Sequence, residues 1–303
     1  MSYLRSYVRI AVKNILYLTD FSQSSDAALP FATALARAYD AKVYALHILT
    51  PDVFVYLTPD SLKAAIDLQE KSASEEMHRI EAQLRGLPHE VVVQRARQLW
   101  ATLEAKLKEC EIDLIVLGTH GRTGLQKFLL GSAAEKLLRK SGVPVMVVGP
   151  KVPASARTDG RFHRVLFATD FTPASVAAAP YAISLAQENQ AELVLLHVIE
   201  NGERTRAETF RGLTVAEAMH QLHENVPPEA EQWCRPETVV VYGEPAARIL
   251  ETAKQKGADL IVMGIRNTGD LFTATHLEST AHRVIAHAEC AILTIRGERQ
   301  NDS

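Results

Sequence analysis

Asn14-Ile-Leu-Tyr-Leu-Thr-Asp-Phe-Ser22 returns, 150 residues further on, as Arg164-Val-Leu-Phe-Ala-Thr-Asp-Phe-Thr172. The match runs on without a gap. Pro30-Phe-Ala-Thr-Ala-Leu-Ala36 answers Pro180-Tyr-Ala-Ile-Ser-Leu-Ala186, and Leu46-His-Ile48 answers Leu196-His-Val198. Later, Asp113-Leu-Ile-Val-Leu-Gly118 answers Asp259-Leu-Ile-Val-Met-Gly264. A long-period repeat of this kind is a tandem duplication of one domain, each copy near the usual domain size, and not a solenoid. The reading places one domain at 1–150, a second at 161–303, and a linker at 151–160, where Pro150-Lys-Val-Pro-Ala-Ser-Ala-Arg-Thr-Asp-Gly160 has linker composition.

Within each copy, apolar runs of strand length alternate with helical-period segments. In the first copy the runs are Ile15–Leu18, Val43–Ile48, Val91–Val93, Leu114–Leu117 and Val143–Val148. In the second they are Val165–Ala168, Leu193–Val198, Val239–Val241, Leu260–Met263 and Ala291–Ile295. Such alternation predicts βαβ units around a parallel sheet, and runs apolar on both faces predict strands covered on two sides. Segment Ser61–Leu84, with Ile66, Met77, Ile80 and Leu84 on one stripe, predicts a covering helix. The expected fold is α/β: two tandem open five-stranded parallel sandwiches, Rossmann-like in architecture.

The chemistry gathers after the fourth strand, in Gly118-Thr-His-Gly-Arg-Thr-Gly-Leu-Gln-Lys-Phe-Leu-Leu-Gly-Ser132. Glycines admit backbone conformations and close approaches that a Cβ forbids, and a helix opening at Gly131-Ser132 offers free N–H groups and a positive dipole end. The loop therefore reads as a phosphate cradle. It lacks the Gly-Lys-Ser/Thr of P-loop enzymes, and no Gly-x-Gly-x-x-Gly follows the first strand. Asp20, at the end of that strand, either caps the next helix or faces a ligand beyond the sheet edge. His47 and His197 end buried strands and read as hydrogen-bonded core or rim histidines.

Composition narrows the classes. The 303 residues are 47% hydrophobic and 23% charged, with net charge −3, so a basic nucleic-acid footprint is missing. No apolar run is long enough to span a membrane, and the N-terminus is broken by charges too often for a signal peptide. Cys110, Cys234 and Cys290 show neither metal-ligand spacing nor a disulfide framework, so a cytoplasmic location is expected. His220 and His223 share a helix face, but no complete ligand set accompanies them, so no metal site is expected.

Leu18-Thr-Asp-Phe-Ser22, Leu46-His-Ile48 and the loop from Gly118-Thr-His-Gly121 to Gly131-Ser132 together resemble the universal stress protein family, over nearly the whole chain. The resemblance implies an adenine-nucleotide site in the first copy. It places Asp20 at the adenine or ribose end, the Ile48 backbone against the adenine edge, and Gly118 and Gly121 beside the ribose and phosphates, with Thr19 and Leu117 also among the ATP-binding residues. Gly131, Ser132 and Ala133 meet the phosphates, with His120 and Arg122 inside the loop. ATP is the implied ligand, with AMP or ADP as alternatives, and Mg²⁺ enters only with the nucleotide. The resemblance also implies that the last strands pair the two copies into an internal pseudo-dimer, and it leaves a homodimer open.

The second copy departs from that pattern. It keeps Asp170, Val198, Gly264 and Ser279, but Asn267 stands for Gly121 and Glu278 for Gly131. A carboxylate at the mouth of a phosphate nest repels the ligand, so this site is expected to be degenerate. The first copy departs too: Gln94-Arg-Ala-Arg-Gln-Leu-Trp100 replaces the Gly-x-Pro that the second copy has as Gly243-Glu-Pro245. Its two arginines either face the phosphates or are solvated loop charges. The expected function is a cytoplasmic stress-response regulator that binds ATP in its first domain. The rivals are a slow ATPase or phosphoryl-transfer enzyme, and a nucleotide-free scaffold.

Overall fold

The structure, a computed structural model, describes residues 9–49, 59–96, 98–119, 132–153, 160–200, 213–227, 236–265 and 280–297. The first half runs β1 (Asn14–Thr19), α1 (Gln23–Tyr39), β2 (Lys42–Leu49), α2 (Pro59–Gln83), β3 (His89–Arg95), α3 (Leu99–Glu109), β4 (Leu114–Gly118), α4 (Ser132–Lys140) and β5 (Val145–Val148). The second runs β6 (Arg164–Ala168), α5 (Pro173–Val176), α6 (Ala179–Asn189), β7 (Glu192–Ile199), α7 (Val215–Glu224), β8 (Glu237–Tyr242), α8 (Pro245–Lys256), β9 (Leu260–Ile265), α9 (Thr280–His287) and β10 (Ala291–Arg296). The predicted third and fifth strands are right in place but differ in length. β3 extends beyond Val91–Val93 on both sides, and β5 starts at Val145, after Pro144.

Each half is a parallel five-stranded sheet, and the halves join edge to edge in one ten-stranded sheet of order β3-β2-β1-β4-β5-β10-β9-β6-β7-β8. Among the described strands only the seam is antiparallel: Val147 opposes Ile292, Met146 opposes Leu293 and Val145 opposes Thr294. The last strands of the two copies therefore do pair, and the carboxyl ends of the two parallel sets point in opposite directions.

Alternation along the strands sorts the core into two layers. Ile15, Tyr17, Val43, Val116, Val165, Leu195 and Val262 pack with Phe31 and Leu35 of α1, Met77 and Ile80 of α2, Leu84 just after it, and Ile183 of α6. Leu16, Leu46, Ile115, Leu166, Leu196 and Ile261 pack on the other face with Leu103 of α3, Leu137 of α4, Ile249 of α8 and Val284 of α9. Burying such side chains contributes roughly 1.5–3 kcal/mol each. Asp113 and Asp259, kept in both copies, tie the amino ends of the strands together. Asp113 Oδ2 accepts from the amides of Lys13 (2.7 Å) and Asn14 (3.0 Å), and Asp259 from those of His163 (2.7 Å) and Arg164 (3.1 Å).

The halves also meet where α1 and α6 lie over the seam. Phe31 stacks on Phe162 with ring centroids 5.8 Å apart, and the buried Tyr39 hydroxyl sits 2.9 Å from Ser184 Oγ. Within the expected linker Val152 is buried, as is Phe162 just beyond it.

Candidate functional site

The first strand ends in a tight hydroxyl and carboxylate turn. Thr19 is buried; its Oγ1 donates to Ser25 Oγ (3.1 Å) and accepts from the Phe21 amide (3.0 Å). Phe21 itself takes a left-handed backbone, φ 61°. Asp20 Oδ1 accepts from the Ser22 amide at 3.1 Å, and Ser22, not Asp20, is the N-cap of α1, accepting from the Ser25 amide at 3.2 Å. The capping alternative for Asp20 is corrected accordingly: its carboxylate shapes the turn that presents the cap.

His47, at the end of β2, locks this turn. Its Nδ1 lies 2.8 Å from the Thr19 carbonyl oxygen, which only accepts, so Nδ1 carries the proton. The ring packs against Phe21 at 4.1 Å. Both histidines are buried, as read from sequence. Two groups nearby feel the burial. The Tyr17 hydroxyl, donating to the Ser25 carbonyl at 2.9 Å, has its pKa pushed far up. Desolvation, aided by the Glu76 and Asp20 carboxylates, holds Asp26 above its ordinary value.

The second half repeats the turn nearly atom for atom. Thr169 Oγ1 donates to Ser175 Oγ (2.9 Å) and accepts from the Phe171 amide (3.0 Å); Asp170 Oδ1 accepts from the Thr172 amide (3.1 Å) and hydroxyl (2.6 Å). His197 Nδ1 donates to the Thr169 carbonyl at 2.9 Å. Any difference between the sites therefore lies beyond this turn.

Gly118 closes β4 against the start of α1. A Cβ there would stand 2.4 Å from the Ser24 carbonyl carbon and 2.6 Å from the Ser25 nitrogen. Gly264 meets Ala174 and Ser175 in the same way at 2.4 Å. Both glycines thus have a packing requirement at a helix terminus, beside the ligand role that the sequence reading gave Gly118.

Ile48 and Leu117 lie on the α3–α4 face, Ile48 half-buried and Leu117 buried. Ser132 and Ala133 open α4, where the sequence placed the helix start. His120, Gly121, Arg122 and Gly131 lie outside the described residues, as do Asn267, Glu278 and Ser279; Val198 takes the place of Ile48 in the second half. Arg95 is drawn onto Glu70 of α2 at 2.5 Å, a solvated pair, while Arg97 lies outside the described residues. His220 pairs with Glu224 (3.3 Å) on the exposed face of α7, and His223 Nδ1 donates to the Met219 carbonyl (2.8 Å). Cys234 falls outside the described residues, among which no group of three metal-ligating side chains occurs. No helix among them is long and apolar enough to cross a membrane.

Register exposes what the sequence reading missed. Ile48 pairs with Gln94 and Leu18 with Leu117, while Val198 pairs with Val241 and Ala168 with Met263. Near the carboxyl edge one face of the first half thus carries Gln94, Ile48, Leu18 and Leu117, staggered by two residues between β2 and β1, and the matching face of the second carries Val241, Val198, Ala168 and Met263. Gln94 is the one polar member, and its Oε1 is buried with no hydrogen-bond partner among the described residues. The signal was a polar residue in an otherwise apolar strand end.

The model of the Universal stress protein family matches residues 11–149 and again 161–296. A universal stress protein of Mycolicibacterium smegmatis is 30% identical over 297 residues, covering 93% of this chain and 96% of its own. One from Bacillus subtilis is 32% identical over 148 residues, 45% of this chain and 99% of its own. The crystal structure of a universal stress protein from Archaeoglobus fulgidus superposes with a TM-score of 0.69 at 22% identity, covering 95% of this chain and all (100%) of that one, which supports the fold. With both halves matched in turn, the chain belongs to the universal stress protein family.

Proposed function

We propose that this chain is a cytoplasmic regulatory protein of the stress response that binds an adenine nucleotide, ATP first among the candidates, in its first half alone. The observation that carries the proposal is the joint placement of two features at one sheet edge. One is the Thr19-Asp20 turn, locked by His47. The other is helix α4, opening at Ser132 after the glycine-punctuated loop. A crossover from a parallel strand returns over the sheet, so α4 starts at the carboxyl edge, with its free N–H groups available to phosphate. The apolar Ile48 and Leu117 offer contact to a base or ribose, and Asp20 supplies an acceptor for hydroxyls. Mg²⁺ then comes with the nucleotide and not from a protein cage.

The second half keeps the turn but carries Asn267 and Glu278 in its loop, and the negative charge opposes a phosphate. Mass spectrometry of ligand released on denaturing freshly purified protein tests the reading. An adenine nucleotide in the supernatant supports it. No released nucleotide, together with no binding of added ATP, AMP or ADP, overturns it.

A further inference from the structure

We propose that Gln94 reads the base: its side-chain carbonyl accepts a hydrogen bond from the exocyclic amine of adenine, making the first half selective for 6-amino over 6-oxo purines. This rests on the preceding reading, that an adenine nucleotide lies at this edge with its base against Ile48.

Three observations meet at Gln94. It is the register partner of Ile48, so one strand spacing, about 4.8 Å, separates the two backbones. Val92 packs on the α3–α4 face, and alternation puts Gln94, two residues on, on that same face with Ile48 and Leu117. Its Oε1 is buried, and among the described residues no donor reaches it. A buried acceptor left unpaired is costly, and an unpaired one at a ligand-binding edge calls for the donor that a ligand brings.

The second half supplies the control within the same molecule. Val241 holds the equivalent place beside Val198, and there the row is wholly apolar. The junction differs as well. The Ala96 amide donates to Leu49 and the Gly243 amide to Ile199, both at 3.0 Å, so Ala96 stands for Gly243. Beyond it, Glu244 caps α8 through the amides of Ala246 (3.1 Å) and Ala247 (2.9 Å), whereas Gln98 makes no side-chain cap on α3. The polar group near the base edge and the intact glycine loop thus occur in the same half.

Chemistry decides which base suits such an acceptor. Adenine carries an amine at C6, a donor. Hypoxanthine and guanine carry a carbonyl there, which would place two acceptors face to face and leave both unsatisfied. Sites built on a specific hydrogen bond reject the analogue that lacks it far more strongly than apolar pockets do.

The test titrates wild type, Gln94→Val and the nearly isosteric Gln94→Met with ATP and with ITP, following the thermal transition with and without ligand. Wild type is expected to prefer ATP by about tenfold or more, and both variants to lose most of that preference through weaker ATP binding. Without ligand, Gln94→Met should melt no lower than wild type, because an orphaned acceptor has been removed. Variants that keep the wild-type ATP-to-ITP ratio overturn the role of Gln94 while leaving nucleotide binding in place. A wild type that binds neither nucleotide overturns both readings.

Discussion

Nη2 of Arg296, at the end of the last strand of the second half, lies 2.6 Å from the carbonyl oxygen of Leu138 in α4 of the first half. The cation therefore sits on the last turn of the helix whose first turn carries the glycine-loop motif. The relationship has no mirror image: Gly149, one residue past β5 where Arg296 ends β10, offers no side chain. One half thus holds the other's α4 by its C-terminal end, where a positive charge also suits the helix dipole.

Arg296→Ala should accordingly destabilise the protein by about 1.5–3 kcal/mol, the usual range for a hydrogen bond to a charged group. Arg296→Lys should restore part of the loss. Urea denaturation of the three proteins checks this, and equal midpoints for wild type and Arg296→Ala would remove the contact from the account.

Gly118→Ala and Gly264→Ala should each lower stability by roughly 1–3 kcal/mol or more, because the added methyl meets helix backbone and not a movable side chain. Their urea midpoints should fall together. A loss of ATP binding in Gly118→Ala beyond the stability loss it shares with Gly264→Ala would add a ligand contact to the packing role of Gly118.

Asp20→Ala and Asp170→Ala remove equivalent turn bonds, to the Ser22 amide and to Thr172, and each should lose about 0.5–1.5 kcal/mol of stability. Only Asp20→Ala should also weaken ATP binding. If ATP raises the melting temperature of Asp20→Ala as much as that of wild type, Asp20 serves the turn alone.

Cys290 is buried, and burial pushes its thiol up to about 12; the half-buried Cys110 is raised by the same cause. Since the thiolate is the nucleophile, iodoacetamide at pH 8 should leave Cys290 unmodified in the folded protein and modify Cys110 slowly. Peptide mapping after labelling, with and without denaturant, reads both sites. Equal labelling of the two in the native state would contradict the packing around β10.

Repeat, strands and covering helices were legible because a parallel strand covered on both faces has to be apolar throughout, and Ile15–Leu18 or Leu114–Leu117 has no other use for such a run. Site detail was less so. Asp20 and Ser22 are both good cap residues, and only the Ser25 amide, 3.2 Å from Ser22 Oγ, separates them. The packing role of Gly118 was hidden because the Ser24 backbone that meets its Cβ position comes from a distant element. Gln94 was masked by register: the β3–α3 junction departs from its repeat, and only strand pairing sets Gln94 against Val241.

The central claim is that two halves sharing one fold and one turn differ in ligand competence. Calorimetric titration of the ligand-free chain with Mg-ATP tests it most directly. One nucleotide per chain, lost on Gly131→Glu while the fold persists, is the predicted result. Two equivalent sites, or a single site that survives Gly131→Glu unchanged, would contradict it.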